Sequence, residues 1–422
     1  MKGFFTKLGN ALTVLRVWTV NLFTLLILVY VVGLAVFALR QMPGKVDPTG
    51  KVLILNPEGV ILDQEVYPSE LKFPFAMPDK EQIQSRDLLR LIRTAAKDER
   101  LSGVLVDFSD VSFAGPSTAL RIAGEMENLK ASGKPVIAYS DSLSTGSYLI
   151  AAQANEIYVH PSGALAISGL GGYRDYVREL MQNLKITIHN YSQGDYKSAV
   201  EGLTRDNMSD ADREQRTALI EPIWKAMKER MAAPRNLQPE VFQDFADNHV
   251  IPLLNAAGYD TLAHATRKGL IDGTKTFAEL RAFMIEKFGK EVSEDEERDT
   301  YPHISWSAYR AQIAPERETA EDAVAVVFVE GTIQTGDMRP GVAGSADIAP
   351  LLRRAHENDK TRAIVMRVNS PGGSILGSDQ IRDELEAAAK KGLPVVVSMG
   401  DVAASGGVWI STPADTIFAE PT

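Results

Sequence analysis

The sequence predicts an α/β protein made of two tandem copies of one module behind an N-terminal membrane-spanning helix, and three observations predict it. Val17–Leu39 (VWTVNLFTLLILVYVVGLAVFAL) carries no charged residue and exceeds the roughly 20 residues that cross a bilayer as a helix. Long segments recur at one fixed interval: DLLRLIRTAAKDERLSGVLVDF from Asp87 matches DIAPLLRRAHENDKTRAIVMRV from Asp347, and DSLSTGSYLIAAQANEIYVHP from Asp141 matches DVAASGGVWISTPADTIFAEP from Asp401. Within each copy, short apolar runs such as Val104-Leu105-Val106 and Ile364-Val365-Met366 sit between helical patterns, as buried parallel strands do.

Residues 1–16 read as a cytoplasmic N-terminus and 17–39 as a retained anchor. Lys2, Lys7 and Arg16 precede the span and Arg40 and Lys45 follow it, so the positive bias puts the N-terminus inside and exports the rest. Val36-Phe37-Ala38 offers a rival cleavage site, but a signal-peptide core runs only about 7–15 residues. Residues 50–291 form the first module, whose opening VLILNPEGVI from Val52 resembles VAVVFVEGTI from Val324 at a slightly longer interval. Each copy reads strand, amphipathic helix, strand, Gly/Ser/Pro loop, helix, strand, small-residue turn, helix, strand. The polar segment 292–321 is the expected linker, and its acidic run Ser293–Glu297 the expected solvated face. The second module, 322–422, contains a helix expected over Ser378–Lys391 that stops at Gly392. The first copy continues well past Pro161 whereas the second reaches only Pro421, so the second module is expected to be truncated at its C-terminus.

Composition removes several classes. A net charge of −10 over 422 residues, without a Lys/Arg cluster, argues against a nucleic-acid surface. The absence of cysteine excludes disulfides, thiolate nucleophiles and Cys-based metal sites. The six histidines lack ligand spacing, and no phosphate loop or dinucleotide fingerprint occurs. Neither a cofactor nor a metal is expected.

The chemistry concentrates in the second copy. In SMGDVAASGGVWISTPAD (Ser398–Asp415) a small-residue cluster follows the strand-like Pro394–Val397. It is either a tight turn that needs small residues for backbone approach or a turn displaying Ser405 as a nucleophile at a helix start, with the Gly406 N–H beside it. NSPGGS (Asn369–Ser374) leaves the strand Ile364–Val368, and Gly372 and Gly373 would let N–H groups face a carbonyl oxygen. Serine needs a base. In the first copy the position of Ser405 holds Thr145, and SDVSFAG (Ser109–Gly115) replaces NSPGGS, so that copy is disabled for the serine role. It offers instead GDYKSAV (Gly194–Val200), where Lys197 stands among small and aromatic neighbours. A lysine becomes a base near neutrality when burial destabilises its ammonium. Taken singly, each motif is more often a turn or a surface lysine.

The anchor, the tandem copies, YKSAVEGLTRDNMS from Tyr196, and VNSPGGS with SMGDVAASGGVWISTPAD together resemble the signal peptide peptidase A family of bacterial inner-membrane proteases (peptidase family S49), in its long two-module form. The resemblance runs from the anchor to the last residue. It implies ClpP/crotonase-like modules, a Ser-Lys dyad of Ser405 (nucleophile) and Lys197 (general base), and an oxyanion site at Gly372, Gly373 and Gly406. It further implies a homotetramer with a periplasmic catalytic part, held in membrane lipid by its helix, and cleaved signal peptides and other unfolded peptides as substrates. Members of this form continue well beyond the serine region. A crotonase-type acyl-CoA enzyme, which needs no serine, and a non-catalytic membrane scaffold are the alternatives.

Overall fold

In the computed structural model the described residues are 2–41, 46–64, 82–113, 115–248, 260–292, 299–313, 321–339 and 341–420. Two units emerge from the packing, Met1–Asp47 with Ser307–Ala314, and Pro48–Trp306 with Pro315–Thr422. The first is dominated by helix α1 (Lys2–Gln41). Its window Leu15–Leu34 has a mean hydropathy of 2.2 and buries nothing, a length and composition sufficient to cross a membrane. In the same unit the Gln312 amide donates to the Val46 carbonyl at 2.6 Å.

The larger unit holds the chemistry. Its first sheet is built from β1 (Val52–Leu55), β4 (Gly103–Val106), β6 (Val136–Ser144), β7 (Glu156–Ala166), β8 (Gly273–Thr274) and β11 (His303–Ser305), in the order β11-β1-β4-β6-β7-β8. Every pairing in it is parallel. The run Gly103–Val106 is buried at all its positions, as a strand covered on both faces must be. Helix α2 (Ser85–Lys97) buries Leu88, Leu91, Ile92 and Ala95, the three-and-four spacing of one helical face. Helix α3 (Pro116–Ala131) buries Ile122, Met126 and Leu129 in the same way. Helix α4 (Thr145–Ala151) starts in a Ser144/Ser147 capping box. A three-stranded layer, β3 (Gln82–Gln84), β2 (Gly59–Leu62) and β5 (Val111–Phe113), lies beside this sheet's connections.

The polar segment 292–321 is more than a linker. Its residues 293–298 and 314–320 lie outside the described residues, but β9 (Glu291–Val292) and β10 (Asp299–Thr300) pair antiparallel. Strand β11 then joins the first sheet with Ile304 opposite Leu53, and Tyr301 and Ile304 are buried. Overall polarity concealed the strand, which carries a single buried apolar side chain, Ile304.

The second sheet runs β12 (Ala323–Glu330), β15 (Thr361–Ser370), β16 (Val395–Ala403), β17 (Thr416–Phe418) and is also parallel. The pair β13 (Thr332–Gln334) and β14 (Val342–Gly344) flanks it. Helices α6 (Ser345–Glu357) and α7 (Ile375–Lys390) pack on it; helix α5 (Asp210–Ala232) belongs to the preceding segment. Leu352, Ile381 and Leu385 bury against Val329, Ile364, Met366 and Val397 in one cluster, each side chain contributing ~1.5–3 kcal/mol by leaving water. Helix α7 begins three residues ahead of the expected Ser378, because Ser374 caps it by accepting the Gly377 N–H at 3.1 Å. The β15 and β16 strands end side by side, Ser370 opposite Ala403 across a register shift. Their C-terminal ends therefore deliver the two glycine-containing loops to one place, the usual position for a site in a parallel sheet.

Candidate active site

Ser405 lies between β16 and the short helix α8 (Gly406–Trp409) with φ 48° and ψ −115°. That positive φ is shared among described non-glycine residues only by Lys185 and Asn236, and its ψ falls outside the left-handed helical well. Such a backbone costs about 1–3 kcal/mol and persists where its surroundings over-determine it. Here they do. The Ala404 N–H donates to the Ser370 carbonyl at 3.1 Å, and the Trp409 N–H to the Ser405 carbonyl at 2.9 Å. The Trp409 indole donates to Asp379 at 2.6 Å while the Arg382 guanidinium lies 4.7 Å over its ring. Ser405 itself is exposed, and among the described residues its hydroxyl has no hydrogen-bond partner. A serine displayed on a strained strand-to-helix turn is the arrangement of a nucleophile elbow.

The second loop meets this turn at backbone distance. Gly372 and Gly373 have φ of 91° and 155°. A Cβ on Gly372 would lie 2.4 Å from the Gly406 nitrogen, on Gly373 2.0 Å from the Ile333 carbonyl oxygen, and on Gly406 2.5 Å from Ser378 Oγ and 3.3 Å from the Gly373 nitrogen. The loop is sewn to β13 by Ile333 N–H donating to Gly372 O (2.9 Å) and Ser374 N–H to Ile333 O (2.8 Å). The Gly372 N–H is used up on Ser370 Oγ at 3.1 Å. Among the described residues the N–H groups of Gly373 and Gly406 have no acceptor. Of the three glycines expected around an oxyanion, Gly372 thus supplies clearance, and Gly373 and Gly406 hold the two unspent donors.

A charged cluster that sequence reasoning missed lies behind these loops. Asn369 donates to Glu330 Oε1 at 2.8 Å and accepts the Val402 N–H at 2.9 Å. Buried Asp63 accepts from Arg367 Nε at 2.7 Å and from Ser85 at 2.7 Å. Burial pushes the Asp63 carboxyl up, but Arg367 and the Ser85 hydroxyl outweigh it and hold the group below the ordinary range. Glu330 goes the other way. Burial first, with Asp63 and Asp401 adding repulsion against the Asn369 hydrogen bond and Arg367, raises its carboxyl from 4.5 to about 7, and its Oε2 is buried without a partner. Between those values the unfolded chain ionises and the folded one stays neutral, so this group costs stability as pH rises. Glu330→Gln keeps the Asn369 hydrogen bond and is expected to raise Tm over the parent by a few degrees at pH 8, the difference vanishing near pH 4; scanning fluorimetry at both values checks this.

Lys197 occupies an irregular arm. Its N–H donates to the Gly194 carbonyl at 3.3 Å, and the next residues are tied down by Arg174, which donates to the carbonyls of Ser198 and Ala199 at 2.9 Å. Asp212, at the start of α5, accepts from Ser198 Oγ at 2.7 Å and pairs with Arg174 and Arg216. Its desolvation would raise the carboxyl, but the Ser198 and Arg216 bonds keep it below the ordinary range. The dry setting expected for Lys197 is absent from this chain's own packing: the residue is exposed, and its aromatic neighbour Tyr196 is itself exposed, reaching out to Glu214 at 3.1 Å. No hydrogen bond joins Lys197 to Ser405. Asp212→Ala removes the carboxylate that holds Ser198 and faces Arg174 and Arg216, so the arm that bears Lys197 should be nicked faster than in the parent under limited proteolysis, with peptide mapping as the readout.

Comparison with known proteins places these features in a lineage. A family model described as peptidase family S49 matches residues 128–291 and 387–422, stretches that contain Lys197 and Ser405. Protease 4 of Salmonella typhi is 33% identical over 427 aligned residues, covering 100% of this chain and 68% of that protein. Protease 4 of Haemophilus influenzae is 33% identical over 87% of this chain and 60% of its own length. The chloroplastic serine protease SPPA of Arabidopsis thaliana is 27% identical over 77% and 47%. The chain therefore spans about half to two thirds of the length of these relatives. With a match along its whole length to one of them, and a family model that falls on both the Lys197 arm and the Ser405 turn, the chain belongs to peptidase family S49, a family of serine proteases.

Proposed function

We propose that this chain is a membrane-anchored serine endopeptidase working through a Ser405-Lys197 dyad. The observation that carries this is the display of Ser405 at φ 48° and ψ −115° beside two unspent N–H donors, those of Gly373 and Gly406. In the reaction, Ser405 Oγ attacks a peptide carbonyl carbon while neutral Lys197 takes its proton. The carbonyl oxygen gains the negative charge and is met by the two glycine amides, the Gly406 N–H adding the start of α8. Collapse releases the amine product, protonated by Lys197, and water resolves the acyl-enzyme.

Helix α1 supports anchoring in the bacterial inner membrane, and the excess of Lys2, Lys7 and Arg16 over the residues that follow supports a periplasmic catalytic part. The shared parallel order of β1-β4-β6-β7 and β12-β15-β16-β17 supports two ClpP/crotonase-like modules, the first supplying the base and the second the nucleophile. The arm that bears Lys197 leaves Tyr173, Leu184, Tyr191 and Tyr196 exposed. A neighbouring copy in a homotetramer would cover such a patch and dry the lysine. Cleaved signal peptides and other unfolded peptides are the substrates, since an extended apolar segment released next to an anchored enzyme reaches the loops without unfolding.

The test is hydrolysis of an apolar fluorogenic peptide by the detergent-solubilised protein together with fluorophosphonate labelling mapped by mass spectrometry. Turnover with label on Ser405 supports the reading. An unlabelled, inert protein that binds a CoA thioester overturns it in favour of an acyl-CoA enzyme, and one that binds neither overturns it in favour of a scaffold.

A further inference from the structure

The strand that delivers Ser405 is held from outside its own sheet. Asp401, near the end of β16, accepts the Thr118 backbone N–H on Oδ1 at 3.0 Å and the Thr118 hydroxyl on Oδ2 at 2.5 Å. Thr118 is 2% exposed and lies in the first turn of α3. That helix begins with Gly115 at its cap and Pro116 at its first position. Neither provides a side-chain acceptor, so the donors of the first turn would be orphaned. The Asp401 carboxylate takes the capping part from a distant segment of the chain. The fit is tight: a Cβ on Gly115 would stand 2.7 Å from Asp401 Cγ. Two further ties hold the same strand end. Arg367, itself paired with Asp63, donates to Ser398 Oγ at 2.9 Å and to the Met399 carbonyl at 2.6 Å, and Asn369 accepts the Val402 N–H.

Ser405 needs such bracing, because nothing its own hydroxyl touches fixes its unusual backbone. In the sequence correspondence between the copies, α3 stands where α7 stands, and SDVSFAG, ending at Gly115, stands where NSPGGS stands. At the same interval Thr118 corresponds to Ser378, whose N–H is spent on the Ser374 carbonyl at 2.9 Å, so the capping carboxylate is a feature of the first copy's helix.

We propose that Asp401 is a positioning residue for the nucleophile, with Thr118 and the start of α3 as its socket. The first module thereby fixes the geometry of the turn that carries Ser405. This rests on the reading of Ser405 as nucleophile and adds a residue to it. The carboxylate takes no proton and touches no substrate; it sets the angle at which Ser405 Oγ meets the peptide carbonyl.

The full chain in detergent is compared with Asp401→Asn, Thr118→Val, Thr118→Ser and the double variant Asp401→Asn/Thr118→Val. The readouts are the rate of fluorophosphonate labelling, kcat and KM on the fluorogenic peptide, and Tm. Asp401→Asn is expected to slow labelling and lower kcat on the order of 10- to 100-fold with KM within about twofold, the signature of a misplaced reacting group. Thr118→Ser should stay near the parent, since it keeps the hydroxyl, and the double variant should be no slower than Asp401→Asn alone, because the two residues form one contact. A parent labelled on Ser405 whose Asp401→Asn form labels and turns over equally fast overturns the positioning role and leaves the nucleophile reading intact. So does a loss that disappears once rates are corrected for the folded fraction. A parent that is not labelled on Ser405 overturns the nucleophile reading, and the positioning role falls with it.

Discussion

Ser405→Ala is expected to lower kcat on the order of 10⁴-fold or more, with KM and Tm close to the parent values. In the proposed mechanism the size follows from removing the atom that would form the covalent bond, which no neighbouring group replaces. The silence of KM and Tm follows from the structure. The hydroxyl has no hydrogen-bond partner among the described residues and the side chain is exposed, so its loss leaves no buried group unsatisfied. Alanine keeps the β-carbon, so the cost of holding φ at 48° is unchanged. The amides of Gly373 and Gly406 remain free to bind a substrate carbonyl, which leaves a small residual rate. Steady-state kinetics with active-site titration measures this, and a variant turning over like the parent removes Ser405 from the mechanism.

Lys197→Ala should cost on the order of 10²- to 10⁴-fold in kcat, the range for a positioned general base. The more telling variant is Lys197→Arg. It preserves charge and much of the length, but a guanidinium does not give up its proton in the accessible pH range. If the lysine serves as a base, the arginine form is as inert as the alanine form; if it only contributes positive charge, the arginine form retains activity. Because Lys197 is exposed, neither substitution should move Tm. Dilution of the detergent-solubilised protein below its association range should depress turnover as well, if a second copy supplies the dryness that the chain's own residues do not.

Much of this site was legible in the residues alone. Apolar runs bounded by turn residues gave the parallel strands, the lysine-ended pattern before Gly392 gave α7, and the two glycine-containing loops were seen as partners before any distance tied them. Local chemistry dictates such features, and local chemistry is what a sequence displays. The missed parts depend on distant pairings. Asp401 matches Asp141 across the two copies, so nothing in its neighbourhood marks it as the one that meets Thr118. The Gly372 N–H looked as available as that of Gly373 until the Ser370 hydroxyl took it. Strand β11 hid in a segment whose polarity spoke for a linker, and Lys197 drew its expected dryness from neighbours that in fact point outward. Glu330 gave no signal, because a carboxyl becomes hard to ionise through what folds over it.

The contacts around Gly372, Gly373 and Gly406 also bear on how such an enzyme diversifies. Gly372 and Gly373 face backbone at distances no β-carbon tolerates, and a β-carbon on Gly406 would have to displace the Ser378 hydroxyl, so a step away from glycine here disturbs the backbone of both loops instead of trimming a pocket. Selection can therefore not tune substrate preference along this wall in small increments. Change in what the protein cuts is then left to side chains that do not touch these loops' backbones, where single substitutions are survivable.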